Sequence, residues 1–193
     1  MLLSDRPQWA AVSAVRGPAA VGQEQTVIRE KIYMTDSLAT YSQYFRIGIE
    51  AGICTPDAAR EWAMSVIARM DEPPGEIIEV SWRKPLPQLI DDLNSVRGEV
   101  DLGLAGNWLL CMLLRSISAT DANIWRALTA AKQIVFCTGT SAKNTELYTI
   151  LSSLEDELNL AESGVFGTVE ACKADIKRVI AQHSSLPPDA LFN

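Results

Sequence analysis

Apolar residues recur at intervals of three and four along most of the chain, which is the spacing that places side chains on one face of an α-helix. The first such stripe comprises Leu38, Tyr41, Phe45 and Ile49. Ser37 precedes the stripe as a possible cap, and Gly52 follows it at a place that is typical of a helix end. The pattern therefore predicts a helix between this serine and this glycine.

The start of a second helix is marked by the sequence Thr55-Pro56-Asp57. A threonine side chain can cap a helix, a proline is tolerated at the first helical position, and an acid is favoured at the positive end of the helix dipole. The apolar stripe of this second helix covers residues 59–70. Five more stripes predict helices over residues 86–96, 101–118, 124–135, 147–158 and 169–180. Between Glu76 and Pro87 the pattern favours a short helix or an extended connector, because a lone strand would have no partner.

These segments define the expected fold class. Residues 102–117 carry apolar side chains on nearly every face, which is typical of a helix enclosed by others. Because every clearly periodic segment is helical, we expect an all-α protein, an antiparallel bundle of about six to seven helices around the 102–117 helix. A stacked array of α-hairpins is the alternative, although successive hairpins share no repeated motif.

The chain is expected to divide into three parts. Residues 1–30 contain several prolines and glycines with little periodicity, which predicts a loosely ordered N-terminal arm. Residues 31–186 are expected to form a single helical domain, since a chain of 193 residues can bury one sizeable core. Pro187 and Pro188 end that region and leave residues 187–193 as a C-terminal tail.

The charge balance bears on the class of ligand. The chain has 17 Lys and Arg against 24 Asp and Glu, a formal net charge of −7. Phosphate binding relies on clusters of basic residues, and none is seen, so we expect no nucleic-acid partner. The most apolar segment, residues 102–114, is too short to cross a bilayer, and Asp5 and Arg6 lie where a secretory signal would be apolar. We therefore expect no membrane association and a cytoplasmic location.

Most of the excess negative charge falls in one part of the chain. Residues 50–101 contain 5 basic and 11 acidic side chains. If these acids share a face, their field would speed the encounter with a basic protein, and the effect would fade at higher salt. Trp82 lies in the same region beside Arg83 and Lys84, where it is either an interface anchor or a half-buried packing residue. The candidate partner-binding residues are Glu76, Glu79, Trp82, Asp91, Asp92, Glu99 and Asp101.

Patterns that indicate catalysis or metal binding are weak. The chain has one histidine, His183, and its four cysteines lie tens of residues apart, which excludes Cys/His zinc spacing. The segment Cys137 to Lys143 follows an apolar run, but it lacks the glycine pattern of a phosphate-binding loop. Neighbouring acids such as Asp91 and Asp92 point about 100° apart on a helix and do not converge. We therefore expect no catalytic residue, no metal and no cofactor.

The leading functional hypothesis is a non-enzymatic protein that binds a basic protein partner. In size, helicity and acidity the chain resembles bacterial immunity proteins and antitoxins, which neutralise a toxin. A regulatory adaptor is the other kind of binding protein that we expect. This resemblance is one of composition, and it assigns no functional residues.

Two alternative functions stay open. One is an enzyme or small-ligand-binding protein with a pocket between helices. The other is a structural homo-oligomer that exposes Tyr44, Trp82 or the outer face of the 102–117 helix.

Overall fold

The computed structural model describes residues 38–119, 123–139 and 142–188. Within these ranges the chain forms eight α-helices and no strand. The helices are α1 (residues 38–50), α2 (Pro56–Arg69), α3 (Gly75–Ser81), α4 (Leu86–Ser95), α5 (Leu102–Ala119), α6 (Ile124–Cys137), α7 (Ala142–Glu162) and α8 (Val169–Gln182). The all-α fold class is therefore confirmed. The count exceeds the expected six to seven, because the stretch for which a short helix or an extended connector was expected forms the short helix α3, which begins at Gly75.

The local sequence explains where several helices begin. Thr55 caps α2 as predicted, since its Oγ1 accepts a hydrogen bond of 3.1 Å from the Ala58 N–H. Thr168 caps α8 in the same way, through a bond of 3.2 Å from the Ala171 N–H. Asn123 caps α6. In each case a short polar side chain satisfies an N–H group that the helix itself leaves without a partner.

Two helices share the interior of the fold. α5, the helix expected at the centre, buries Leu109, Leu110 and Leu113, but Leu104 near its start is 38% exposed. α1 is enclosed more completely, because Tyr41 and Arg46 are the only residues between 38 and 48 that are not buried. The interior position of α1 was not predicted, since several of its buried residues are polar.

The buried polar residues of α1 form hydrogen bonds with the end of α4 and with the chain that follows it. The Ser42 hydroxyl donates to the Leu93 carbonyl, and the Gln43 side-chain amide donates to Asn94 Oδ1 at 3.3 Å. Thr40 Oγ1 accepts from the Asp101 N–H at 3.0 Å. These bonds satisfy polar groups that would otherwise be buried without partners, and they fix the position of α4 relative to α1.

The aromatic side chains of α1 pack inward. Tyr41 lies with its ring centroid 5.4 Å from that of Trp108, and Phe45 lies 5.2 Å from Trp62. Tyr44 is 1% exposed, with its ring 6.2 Å from Trp108. The expectation that Tyr44 offers an exposed apolar surface for a homo-oligomer is therefore wrong, because α1 has packed neighbours on both of its tyrosine-bearing faces.

The last four helices close a ring. α5 contacts α6, α6 contacts α7, α7 contacts α8, and α8 returns to α5. In the other half of the described chain, α3 packs against both α2 and α4. The predicted arm, residues 1–30, lies outside the described residues, as does the predicted tail beyond Pro188. The proposed division into arm, domain and tail stays a prediction.

Candidate functional site

The acidic region is built around the hairpin of α3 and α4. Pro74 precedes α3 and Pro85 precedes α4, so each helix starts directly after a proline. The inner faces of the two helices bury Ile77, Val80, Leu89 and Leu93, each with an exposed fraction of 0%. This burial directs the charged side chains of the hairpin toward the surface.

Three of the predicted partner-binding residues meet at Lys84. The Lys84 ammonium donates to the Glu79 carboxylate and, at 2.9 Å, to Asp92 Oδ2. It also lies 5.3 Å from the centroid of the Trp82 ring, within the range of a cation–π contact. The hydrogen bonds to Glu79 and Asp92 raise the pKa of Lys84 above its ordinary value. The site thus contains two carboxylates that share one internal cation, next to Trp82, which is 53% exposed.

Three other predicted residues have roles within the fold. Glu76 accepts an ion-pair contact of 3.1 Å from Arg97 Nε, which ties the start of α3 to the chain after α4. The Asp101 carboxylate accepts a hydrogen bond of 2.8 Å from the Leu104 N–H and so caps α5. The carbonyl of Glu99 accepts from Thr40 Oγ1 at 3.5 Å, while the carboxylate of Glu99 is exposed.

Asp91 is the seventh predicted residue, and it lies exposed on α4. Neither Asp91 nor Glu99 forms an ion pair with any residue in the described ranges. The same is true of Asp71 and Glu72, which are exposed between α2 and α3. The structure therefore separates the acids of this region into those held by internal partners and those that face solvent with their charge unbalanced.

A second feature, which the sequence did not indicate, is a two-lobed cleft. One lobe, of about 350 Å³, is lined by α1, α2 and the turn between them and includes Phe45, Glu61 and Trp62. The other, of about 430 Å³, lies between that turn, α5 and α6 and includes Arg126. Ile53 and Met112 line both lobes, so the lobes adjoin. Such volumes lie in the range of small-molecule sites. No motif could have predicted the cleft, because its residues come from four separate segments.

The cysteine thiols near these features are not activated as nucleophiles. Burial raises the pKa of Cys54 from 9.0 to about 11, while its hydrogen bond with Tyr44 acts in the opposite direction. Burial also raises the pKa of Tyr44 above its ordinary value. Cys137, the last residue of α6, likewise has a pKa raised by burial and by the charge of Glu50. Reactive cysteines have lowered pKa values, so both thiols are held in the protonated, unreactive form.

The comparisons with known proteins identify no relative. No protein-family model, no curated protein and no solved structure matches this chain.

Across residues 38–119, 123–139 and 142–188, no three histidine, cysteine or carboxylate side chains converge on a possible metal position. None of the helices in the described part of the chain combines the length and the apolar character that a membrane span requires.

Proposed function

We propose that this chain is a non-enzymatic, cytoplasmic binding protein of the immunity-protein or regulatory-adaptor kind, whose α3–α4 hairpin docks a basic surface of another protein. The observation that supports the proposal is the combination of exposed acids without an internal cation and an exposed tryptophan in one region. Asp91 on α4 and Glu99 after it supply charge, and Trp82, between α3 and α4, supplies a large, rigid apolar side chain.

The two components have different physical roles. Exposed charges steer a partner of opposite sign and raise its association rate, with a strong dependence on ionic strength. An aromatic anchor contributes mainly to the lifetime of a complex, because the large apolar surface it buries is lost when the partner leaves. Trp82 is suited to this role because the Lys84 ammonium lies over its ring and restrains it. Leu86, 49% exposed at the start of α4, extends the apolar surface.

The structure determines which substitutions test the proposal cleanly. Asp92 and Asp101 are unsuitable, since removing their charges breaks an ion pair and a helix cap and would change stability as well as binding. Asp91→Asn combined with Glu99→Gln changes the net charge by two without removing a described side-chain contact. A matched control is Asp156→Asn with Glu157→Gln, which neutralises two exposed, unpaired acids on α7.

The experiment is affinity capture from lysate of the source cells, with the wild type and both double variants, at low and moderate salt. The expected result is a stoichiometric basic protein that the wild type and the α7 control capture at low salt and the Asp91/Glu99 variant does not. Capture of the same protein equally by all three forms would contradict the electrostatic role of the hairpin. Capture of no basic protein by any form would contradict the proposal itself.

A further inference from the structure

The two-lobed cleft is shaped by the turn between α1 and α2. The Ile53 and Cys54 N–H groups both donate to the Gly48 carbonyl, at 2.8 and 3.0 Å, so the turn folds back against the end of α1. Gly52, at φ +71°, supplies the left-handed conformation that the turn needs. Ile53 of this turn and Met112 of α5 line both lobes, so they form an apolar boundary that the two lobes share.

Arg126 is the one charged side chain among the described residues that line the lobe next to α6. Arg126 lines it, is exposed, and forms no ion pair within the described residues. α6 has no acid in its first turn, so the positive end of its dipole adds to the charge of Arg126. The guanidinium lies beside the turn, since a Cβ at Gly52 would be in ordinary van der Waals contact with Arg126 Nη2, at 3.8 Å. The side chain of Asn123 and the hydroxyl of Ser116 also line this lobe.

The lobe next to α2 has the opposite character. Phe45 and Trp62 form apolar walls, and Glu61 brings an exposed carboxylate that forms no ion pair within the described part of the chain. A ligand spanning the cleft would therefore meet a cation at one end, the apolar boundary, and aromatic walls with an acid at the other end. An anionic group is favoured in the α6 lobe and repelled from the α2 lobe.

We propose that this cleft binds a small carboxylate with one negative charge and an apolar body, the carboxylate on Arg126 and the body lying over Ile53 and Met112 toward Trp62. A guanidinium matches a carboxylate with two parallel hydrogen bonds. A phosphate ester or nucleotide is disfavoured, because its higher charge would face one arginine and the Glu61 carboxylate. This site is separate from the hairpin, and its proposal does not depend on the proposed function.

The test uses octanoate, octylamine and the dicarboxylate suberate, three probes of equal chain length and different charge. Each is titrated into the full chain labelled with ¹⁵N, and backbone amide shifts are followed. Octanoate is expected to saturate with half-saturation below about 10 mM, the range that its size allows. The shifts should centre on Gly52, Ile53 and Asn123. Suberate should bind more weakly, because its second carboxylate would face Glu61, and Glu61→Gln should strengthen it. Octylamine can pair only with Glu61, so its binding should not depend on Arg126.

Two arginine variants separate head-group recognition from apolar binding. Arg126→Gln should weaken octanoate about tenfold, the effect of losing one charge-assisted contact. Arg178→Gln, at an exposed arginine on α8, should bind octanoate as the wild type does. Both variants replace surface side chains, and a well-dispersed amide spectrum verifies that each is folded. An unchanged octanoate affinity in Arg126→Gln, an equal loss of octylamine affinity in that variant, octanoate shifts centred elsewhere, or no saturation by octanoate would each overturn the proposal.

Discussion

Gly48 lies near the end of α1, packed against Cys54 of the following turn and Leu109 of α5. Its replacement by alanine is expected to destabilise the fold. A Cβ atom at Gly48 would lie 2.5 Å from Cys54 Sγ and 2.8 Å from Leu109 Cδ2. Both distances are well inside normal contact. Leu109 is fully buried on α5, so its side chain has no open space into which to move.

The expected magnitude follows from two opposing effects. Inserting a methyl group into a packed interior costs about 1–3 kcal/mol, because neighbouring atoms must shift. Alanine in a helix interior is about 0.5–1 kcal/mol more favourable than glycine. The steric cost is larger, so Gly48→Ala should lower the free energy of unfolding by about 1–2 kcal/mol. With a urea dependence of about 2 kcal/mol per M, the midpoint should fall by about 0.5–1 M.

Urea unfolding followed by circular dichroism and tryptophan fluorescence measures this change. Gly75→Ala is the control, because nothing lies within 4 Å of a Cβ at that position. Its free energy of unfolding should stay within about 0.5 kcal/mol of the wild type. Adding Cys54→Ala to Gly48→Ala removes the closest atom, so the double variant should be more stable than the sum of the single changes predicts. A Gly48→Ala protein as stable as the wild type would refute the packing argument.

Three further predictions concern a helix cap, a buried thiol and an ion-pair centre. Thr55→Ala should lower the free energy of unfolding by about 1 kcal/mol in the same assay, since it leaves the Ala58 N–H without its cap; an unchanged stability would show that the cap contributes nothing. Cys54 should resist iodoacetamide near neutral pH and react only as the pH approaches about 11, as mapped by mass spectrometry; rapid labelling at neutral pH would contradict its burial. Its raised pKa also means that the folded state keeps a proton that the unfolded state loses, so stability should fall as the pH rises from 9.0 to about 11, and less so in Cys54→Ala. Lys84→Met should lower the urea midpoint at low salt and regain part of it at high salt, because two carboxylates lose their shared cation. Lys173→Met, at an exposed lysine without an ion pair, should change little, and equal effects of the two lysine variants would contradict the ion-pair account.

The elements of the fold that depend on local chemistry were predictable. Thr55 and Pro56 begin α2 because capping and proline preferences act within a few residues. The interior position of α1 was not predictable, since it depends on contacts between distant segments of the chain. Ser42 is a polar residue of the type usually found at the surface. It is tolerated in the interior because its hydroxyl donates a hydrogen bond to the Leu93 carbonyl. A hydrophobicity pattern cannot report a polar side chain that is satisfied by another part of the chain.

The acidity of the candidate region was predictable from the sequence, whereas the pairing of its charged side chains was not. The acid excess of residues 50–101 was visible by counting. Whether a given acid is free depends on which cation reaches it. Lys84 pairs with Glu79 and Asp92 across the hairpin, while Asp91, next to one of them, faces solvent. The residues that line the cleft were not predicted for the same reason, since they come from four separate segments of the chain.

The most direct measurement of the central claim is the salt dependence of the association rate between this chain and the basic protein that we expect it to capture. Surface plasmon resonance gives that rate for the wild type, for Asp91→Asn/Glu99→Gln and for the α7 control, Asp156→Asn/Glu157→Gln. The hairpin variant should associate several-fold more slowly at low salt, with a flatter dependence on ionic strength, while the control matches the wild type. Equal rates and equal slopes for all three forms would contradict the account.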